Sequence, residues 1–102
     1  MISAYRVSTD AYRDLDAIWL YGARTFSVEK ADDYDRRIHD AFDRIALHPL
    51  AAPAVPGRTD GVRMLVEGSH IIFYRPEPTP PLIVRVMHQR QDWTSLMGSE
   101  PG

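Results

Sequence analysis

Apolar residues recur along this chain at two different periods, and the points where the period changes mark out its elements. The opening segment, Ile2 to Ser8, alternates and predicts a short strand. Thr9 and Asp10 then offer an N-cap for a helix. Within that helix Ala11, Leu15, Ile18 and Gly22 fall at spacings of 4, 3 and 4, one face of a 3.6-residue period, with Trp19 beside them. Asp10, Asp14 and Asp16 crowd its first turns and Arg24 its end, as the helix dipole favours. A second helix begins at Ser27, where Ala31, Tyr34, Ile38, Phe42 and Ile45 recur at spacings of 3, 4, 4 and 3. Its other face is charged, from Asp32 and Asp33 through Arg36 and Arg37 to Asp43 and Arg44, and it stops before Pro49. Two amphipathic helices so closely joined predict an antiparallel hairpin whose apolar faces need a sheet to cover.

A loop punctuated by Pro49, Pro53, Pro56 and Gly57 runs to Asp60. Val62 to Glu67 and His70 to Arg75 then predict two strands joined by Gly68-Ser69, a pair suited to a tight hairpin. Pro76 to Pro81 forms a stiff turn before a further strand, Leu82 to His88. Ile71, Ile72, Phe73 and Tyr74 are all apolar, which suits a central strand buried on both faces. Beyond Gln89 the chain is polar, with Trp93, Leu96 and Met97 able to dock a last helical turn. The order βααβββ predicts an α+β fold, a helical hairpin packed on a small antiparallel sheet. No repeat or linker interrupts it, so residues 1–102 read as a single domain.

Composition narrows the class. At 102 residues, 44% apolar and with a net charge of −2, the chain is long enough for one core and too apolar for disorder. It has no cysteine, so disulfides and thiolate chemistry are excluded and a cytoplasmic location is expected. No signal peptide is evident, and the longest mainly apolar run, Pro80 to Met87, contains Arg85 and is far short of the ~20 residues that span a bilayer. Eleven of the twelve basic residues are arginine, Lys30 being the exception, yet the pI near 6.0 argues against a surface built for nucleic-acid backbone.

Candidate chemistry is sparse. His39, His48, His70 and His88 are scattered without the spacing of a metal site, and no metal or cofactor is expected. Neither a glycine-rich phosphate loop nor a GxSxG elbow occurs, and the carboxylates are those of a solvated helix face. What remains is a set of residues assigned to the sheet: Arg63, Tyr74, Arg75, Arg85, His88 and Arg90. By alternation Arg85 shares a face with Ile83 and Met87, while His88 aligns with Val84 and Val86. Such a patch could hold phosphate and move protons in RNA cleavage. The acidic pI instead favours pairing of these arginines with Asp60, Glu67 or Asp92.

Taken in order, these segments resemble the ParE branch of the RelE/ParE toxin superfamily, over nearly everything from Tyr5 to Trp93. The resemblance rests on Ser8-Thr9-Asp10-Ala11, on Asp14 to Tyr21 in the first helix, and on Ile45-Ala46-Leu47-His48-Pro49 closing the second. It continues through Gly61-Val62-Arg63-Met64, Ile71 to Arg75, and Ile83 to Asp92. Two departures stand out. Gln89 and Gln91 occupy positions where a glycine and a second arginine are usual, and Pro76 to Pro81 replaces a simple polar turn.

The resemblance implies the toxin of a bacterial type II toxin–antitoxin module, with a part in plasmid stabilization. It implies inhibition of DNA gyrase by protein–protein binding and neutralisation by a ParD-like antitoxin, with no direct DNA or RNA binding, no membrane and no catalytic residue. The alternative is a RelE-like ribosome-dependent mRNA endoribonuclease, or a weakened toxin acting mainly as antitoxin partner. The single lysine and the absence of any tyrosine after Tyr74 leave most RelE-type equipment missing, although Arg63 and Arg85 remain. Target or antitoxin contact is expected from Arg63, Arg75, Arg85, His88 and Arg90. Tyr12, Trp19 and Tyr34 are candidate antitoxin anchors, since aromatics dominate interface hot spots. For Trp19 the place beside the apolar stripe favours core packing instead.

Overall fold

The two apolar stripes become two helices, and the strands that follow supply the sheet they need. The computed structural model describes residues 4–98 and contains β1 (Arg6–Val7), α1 (Thr9–Thr25), α2 (Val28–Leu47), β2 (Arg63–Glu67), β3 (His70–Arg75), β4 (Leu82–His88) and α3 (Trp93–Met97). Ile2 and Ser3 of the expected first strand lie outside the described residues. The cap of α1 is Ser8, whose hydroxyl accepts from the Ala11 N–H, and not Thr9 or Asp10, which are already helical. Ser27 caps α2 in the same way through Lys30. His48 closes that helix just ahead of Pro49.

The strand order is β1-β4-β3-β2, so β3 and β4 are central. Strands β2, β3 and β4 pair antiparallel, whereas β1 lies parallel to β4, making the sheet mixed rather than wholly antiparallel. The parallel pair joins segments 76 positions apart (Arg6 with Leu82, Val7 with Ile83), a separation that local patterning does not register. Gly68 carries a φ of 57° in the β2–β3 connection, at the position where type II′ hairpins place glycine. A Cβ there would lie 2.9 Å from the Tyr34 ring.

The sheet is buried on both faces, as the apolar run in β3 predicts. Ile72 and Tyr74 join Leu15, Ile38, Phe42, Ile45, Ile83 and Val86 under the helical hairpin. Ile71 and Phe73 face the other way, packing with Val55, Val62, Met87 and Met97 beneath the 49–62 loop and α3. Of the three apolar residues expected to dock that last turn, Met97 is buried and Trp93 packs against Phe73, while Leu96 is exposed.

Register shifts between Phe73 and Tyr74, which face Arg85 and Ile83, so Val84 is an extra residue on β4. The bulge defeats the expected alternation. Ile83 and Val86 lie on the helix side, Val84 and Met87 on the other, and neither trio keeps one face. Since β1 pairs only with Leu82 and Ile83, α1 takes over the edge of β4 beyond them. The Ser8 hydroxyl donates to Val84 O at 2.8 Å, and the Asp14 carboxylate accepts from Val86 N–H at 2.9 Å. The cap of α1 and one residue within it thus satisfy edge groups that would otherwise lack partners.

Candidate functional site

Where α1 ends and α2 crosses the open end of the β3–β4 pair, the elements enclose a cleft of about 450 Å³. Ile18, Tyr21 and Gly22 of α1 and Phe26 at its C-cap form one wall; Tyr34 of α2 with Ser69, His70 and His88 forms the other. The helices can approach closely here because residue 22 is glycine, where a Cβ would stand 3.3 Å from that of Ala31. Tyr21 and Phe26 remain 67% and 66% exposed, the most accessible aromatics at the hairpin's end. Exposed aromatics rimming an apolar cleft mark a surface that gains by being covered.

The polar end of the cleft is tightly ordered. Tyr34 Oη lies 2.5 Å from His70 Nδ1 and accepts from the Ser69 N–H at 3.1 Å. The His70 and His88 rings meet edge-on with centroids 5.1 Å apart. Burial, reinforced by repulsion from His88, lowers the His70 pKa from 6.5 to about 4. Burial raises the Tyr34 phenol.

The residues nominated from sequence do not gather in one place. Tyr34 and His88 meet in the cleft. Tyr12 and Trp19 line a separate, shallower groove with Asp16, Asp35 and His39 on another face of α1. Trp19 is half-buried, its indole N–H donating to Asp32 at 2.7 Å, and it belongs to neither core cluster. The expected core packing is therefore corrected, because the indole needs a polar partner and finds one across the hairpin.

The arginine patch disperses in the same way. Arg63 donates to the carbonyls of Ala52 and Leu50 at 2.7 and 3.3 Å. Arg75 reaches Asp60 at 3.6 Å, as the pairing alternative expects. Arg85 makes a two-point contact with Asp14 at 2.8 and 2.9 Å, which raises its pKa further. Glu67 pairs with Arg37 and Arg44 on α2 instead of with the sheet arginines; burial alone would raise its pKa, and these two guanidiniums outweigh it and hold it low. Asp92 binds Thr94 and Ser95 as the cap of α3. Tyr74 is buried and donates to Pro49 O at 2.8 Å. Arg90 is exposed, its backbone N–H donating to His88 Nδ1 at 3.0 Å.

Ile18, Tyr21, Gly22, Phe26, Ser69 and His70 are the cleft residues that the sequence does not nominate. Tyr21 carries a signal, being a large apolar side chain beside the Ala11-Leu15-Ile18-Gly22 stripe, and Phe26 extends that stripe by one more step of four. His70 carries none, because its partner Tyr34 is 36 positions away. Among the described residues no group of three or more potential metal ligands comes together, and no helix is long and apolar enough to cross a membrane.

Stability should fall in two stages as the solution is acidified. Neutral His70 in the fold resists a proton that the unfolded chain accepts near 6.5, so its contribution is complete above that pH and is lost from there toward about 4. Asp60 is bonded to Arg58 and held at about 2 against an ordinary 3.8, so its contribution is present above about 4 and lost toward 2. Urea unfolding between pH 7.5 and 2.5 checks this. His70→Phe should flatten the upper limb, and Asp60→Asn should cost about 2 kcal/mol at neutral pH and flatten the lower one. Identical pH profiles for the His70 variant and the parent would contradict the burial of a neutral ring.

A helical hairpin laid over a four-stranded mixed sheet, with an aromatic-rimmed cleft at its end, defines a small α+β domain with a surface suited to a protein partner. The sequence profile of the family described as the ParE toxin of the type II toxin–antitoxin system, parDE, matches residues 5–93, and the chain belongs to that family. It is 36% identical over 94 residues to Toxin ParE1 of Caulobacter vibrioides, covering 92% of this chain and 97% of that one. Toxin ParE1 of Mycobacterium tuberculosis is 37% identical over 93 residues, covering 90% and 95%. A solved structure described as the chromosomal ParDE TA system from P. aeruginosa superposes with a TM-score of 0.70 at 21% identity, over 82% of this chain and 92% of that one, a likeness of fold.

Proposed function

We propose that this ParE-family toxin acts by protein–protein binding on DNA gyrase, and that a ParD-like antitoxin neutralises it by occupying the cleft between α1, α2 and the β3–β4 end. The observation that carries the antitoxin site is the exposure of Tyr21 and Phe26 beside an apolar cleft, on a chain of this family. Acting on gyrase requires a cytoplasmic location. Arg75 and Arg90, whose side chains stay exposed, are the arginines best placed for target contact.

No observation favours the ribonuclease alternative. Arg63 and Arg85, which that chemistry would need for phosphate, are engaged by the Leu50 and Ala52 carbonyls and by Asp14. In a supercoiling assay, excess purified protein should inhibit gyrase and trap it on cleaved DNA, and added antitoxin should restore activity. Unaffected supercoiling, with ribosome-bound messages cut during growth arrest, would overturn the gyrase reading. Unaffected supercoiling with tight antitoxin binding and no arrest would leave a protein kept for its partner.

A further inference from the structure

The cleft is apolar along most of its wall, yet two imidazole rings close one end, and their hydrogen bonds determine which nitrogen of each carries the proton. His88 Nδ1 accepts from the Arg90 backbone N–H at 3.0 Å, so the neutral ring holds its proton on Nε2. For His70 the partner at Nδ1 is Tyr34 Oη, 2.5 Å away. That oxygen already accepts from Ser69 N–H, and among the described residues the only other acceptor within its reach, Glu67 O, is 3.5 Å distant. The phenol therefore donates to His70 Nδ1, and His70 too carries its proton on Nε2. Neither Nε2–H has a protein acceptor among the described residues. Among the described residues no carboxylate lines the cleft.

We propose that the Nε2–H groups of His70 and His88 form a seat for a carboxylate, and that the antitoxin segment filling the cleft presents an aspartate or glutamate beside a large apolar side chain. This rests on the cleft being the antitoxin's docking site. The rings sit on paired positions of β3 and β4 and meet edge-on with centroids 5.1 Å apart, close enough for one carboxylate to reach a donor on each. Hydrogen bonds to an ionised acceptor are the stronger kind, and a segment packed against Ile18, Tyr21 and Phe26 would shield them from water. A cleft of about 450 Å³ accommodates a phenyl or branched aliphatic group next to that acid.

The test uses the full chain, isotopically labelled and free of antitoxin, with 3-phenylpropionate and its neutral amide as matched probes at pH 7.5. Long-range proton–nitrogen spectra should show both imidazoles as Nε2–H tautomers. The carboxylate should bind about tenfold more tightly than the amide and shift both Nε2 resonances. His88→Phe, which keeps a ring and removes the donor, should abolish that preference while the amide still binds. Equal affinity for the two probes, or no binding by either, overturns the seat. An Nδ1–H tautomer at either ring overturns it as well. Should the probes fail while Phe26→Asp still releases antitoxin, the docking site stands and the acidic anchor falls. Should the probes succeed while Phe26→Asp leaves antitoxin bound, the antitoxin is not the occupant and the proposal is overturned.

Discussion

Replacing Phe26 by aspartate is expected to weaken the antitoxin complex about a hundredfold while leaving the fold intact. Phe26 sits at the C-cap of α1 with two thirds of its surface exposed, so its side chain contributes little to the monomer's core. Surface substitutions away from caps and buried bonds usually change stability by less than about 0.5 kcal/mol. The C-cap bond here is made by the backbone N–H of residue 26 to Gly22 O, which aspartate retains. In a complex the same ring becomes a buried anchor, and truncating such an aromatic typically costs about 2–4 kcal/mol, with a buried carboxylate adding to the loss. Calorimetric titration of antitoxin into the variant, alongside thermal unfolding, measures both quantities. Tyr21→Asp should behave alike, whereas Leu96→Asp, on the exposed side of α3, should leave affinity unchanged.

The second large effect concerns the fold. Asp14→Ala should destabilise the protein by about 3 kcal/mol. This carboxylate accepts hydrogen bonds from Nε and Nη2 of Arg85 and from the Val86 N–H, tying α1 to the stretch of β4 that β1 does not cover. Both side chains are largely withdrawn from water, at 28% and 15% exposure. Removing the acid would leave a partly buried guanidinium and a strand-edge N–H without acceptors, the costly way to break such a pair. Asp14→Asn, which keeps one acceptor oxygen, should lose about half as much. Adding Arg85→Met to Asp14→Ala should recover part of the loss, because the orphaned charge is then gone. Urea unfolding of the three variants decides it, and an asparagine variant as stable as the parent would show that charge contributes nothing.

Much of this architecture is legible along the chain because it is local. The periodic stripes and the cap at Ser27 define α2, and Gly68-Ser69 between two apolar runs defines the β2–β3 hairpin. The four consecutive apolar residues of β3 announce a strand covered on both sides, and both core clusters indeed draw on it. The first helix is displaced by one residue at its start because three successive residues, Ser8, Thr9 and Asp10, are all competent caps. The tertiary bond from Ser8 Oγ to Val84 O decides among them.

The site is less legible, since it depends on which distant residues meet. Strict alternation groups Arg85 with Ile83 and Met87, and one extra residue in β4 breaks that grouping. The arginines looked like a patch because charge on a strand is conspicuous in sequence, whereas their partners (Asp14, Asp60 and two loop carbonyls) come from elsewhere in the fold. Tyr34 and His88 stand out in the sequence for separate reasons and line the same cleft, with His70 between them.

Hydrogen–deuterium exchange on the toxin, free and bound to its ParD-like antitoxin, tests most directly whether the cleft is the docking site. The account predicts protection concentrated on the end of α1, the α1–α2 junction and the connection leading into β3, with the 49–62 loop and α3 unchanged. Protection confined to the far face of the sheet or to the Tyr12–Trp19 groove, with the cleft exchanging as in the free protein, would contradict it.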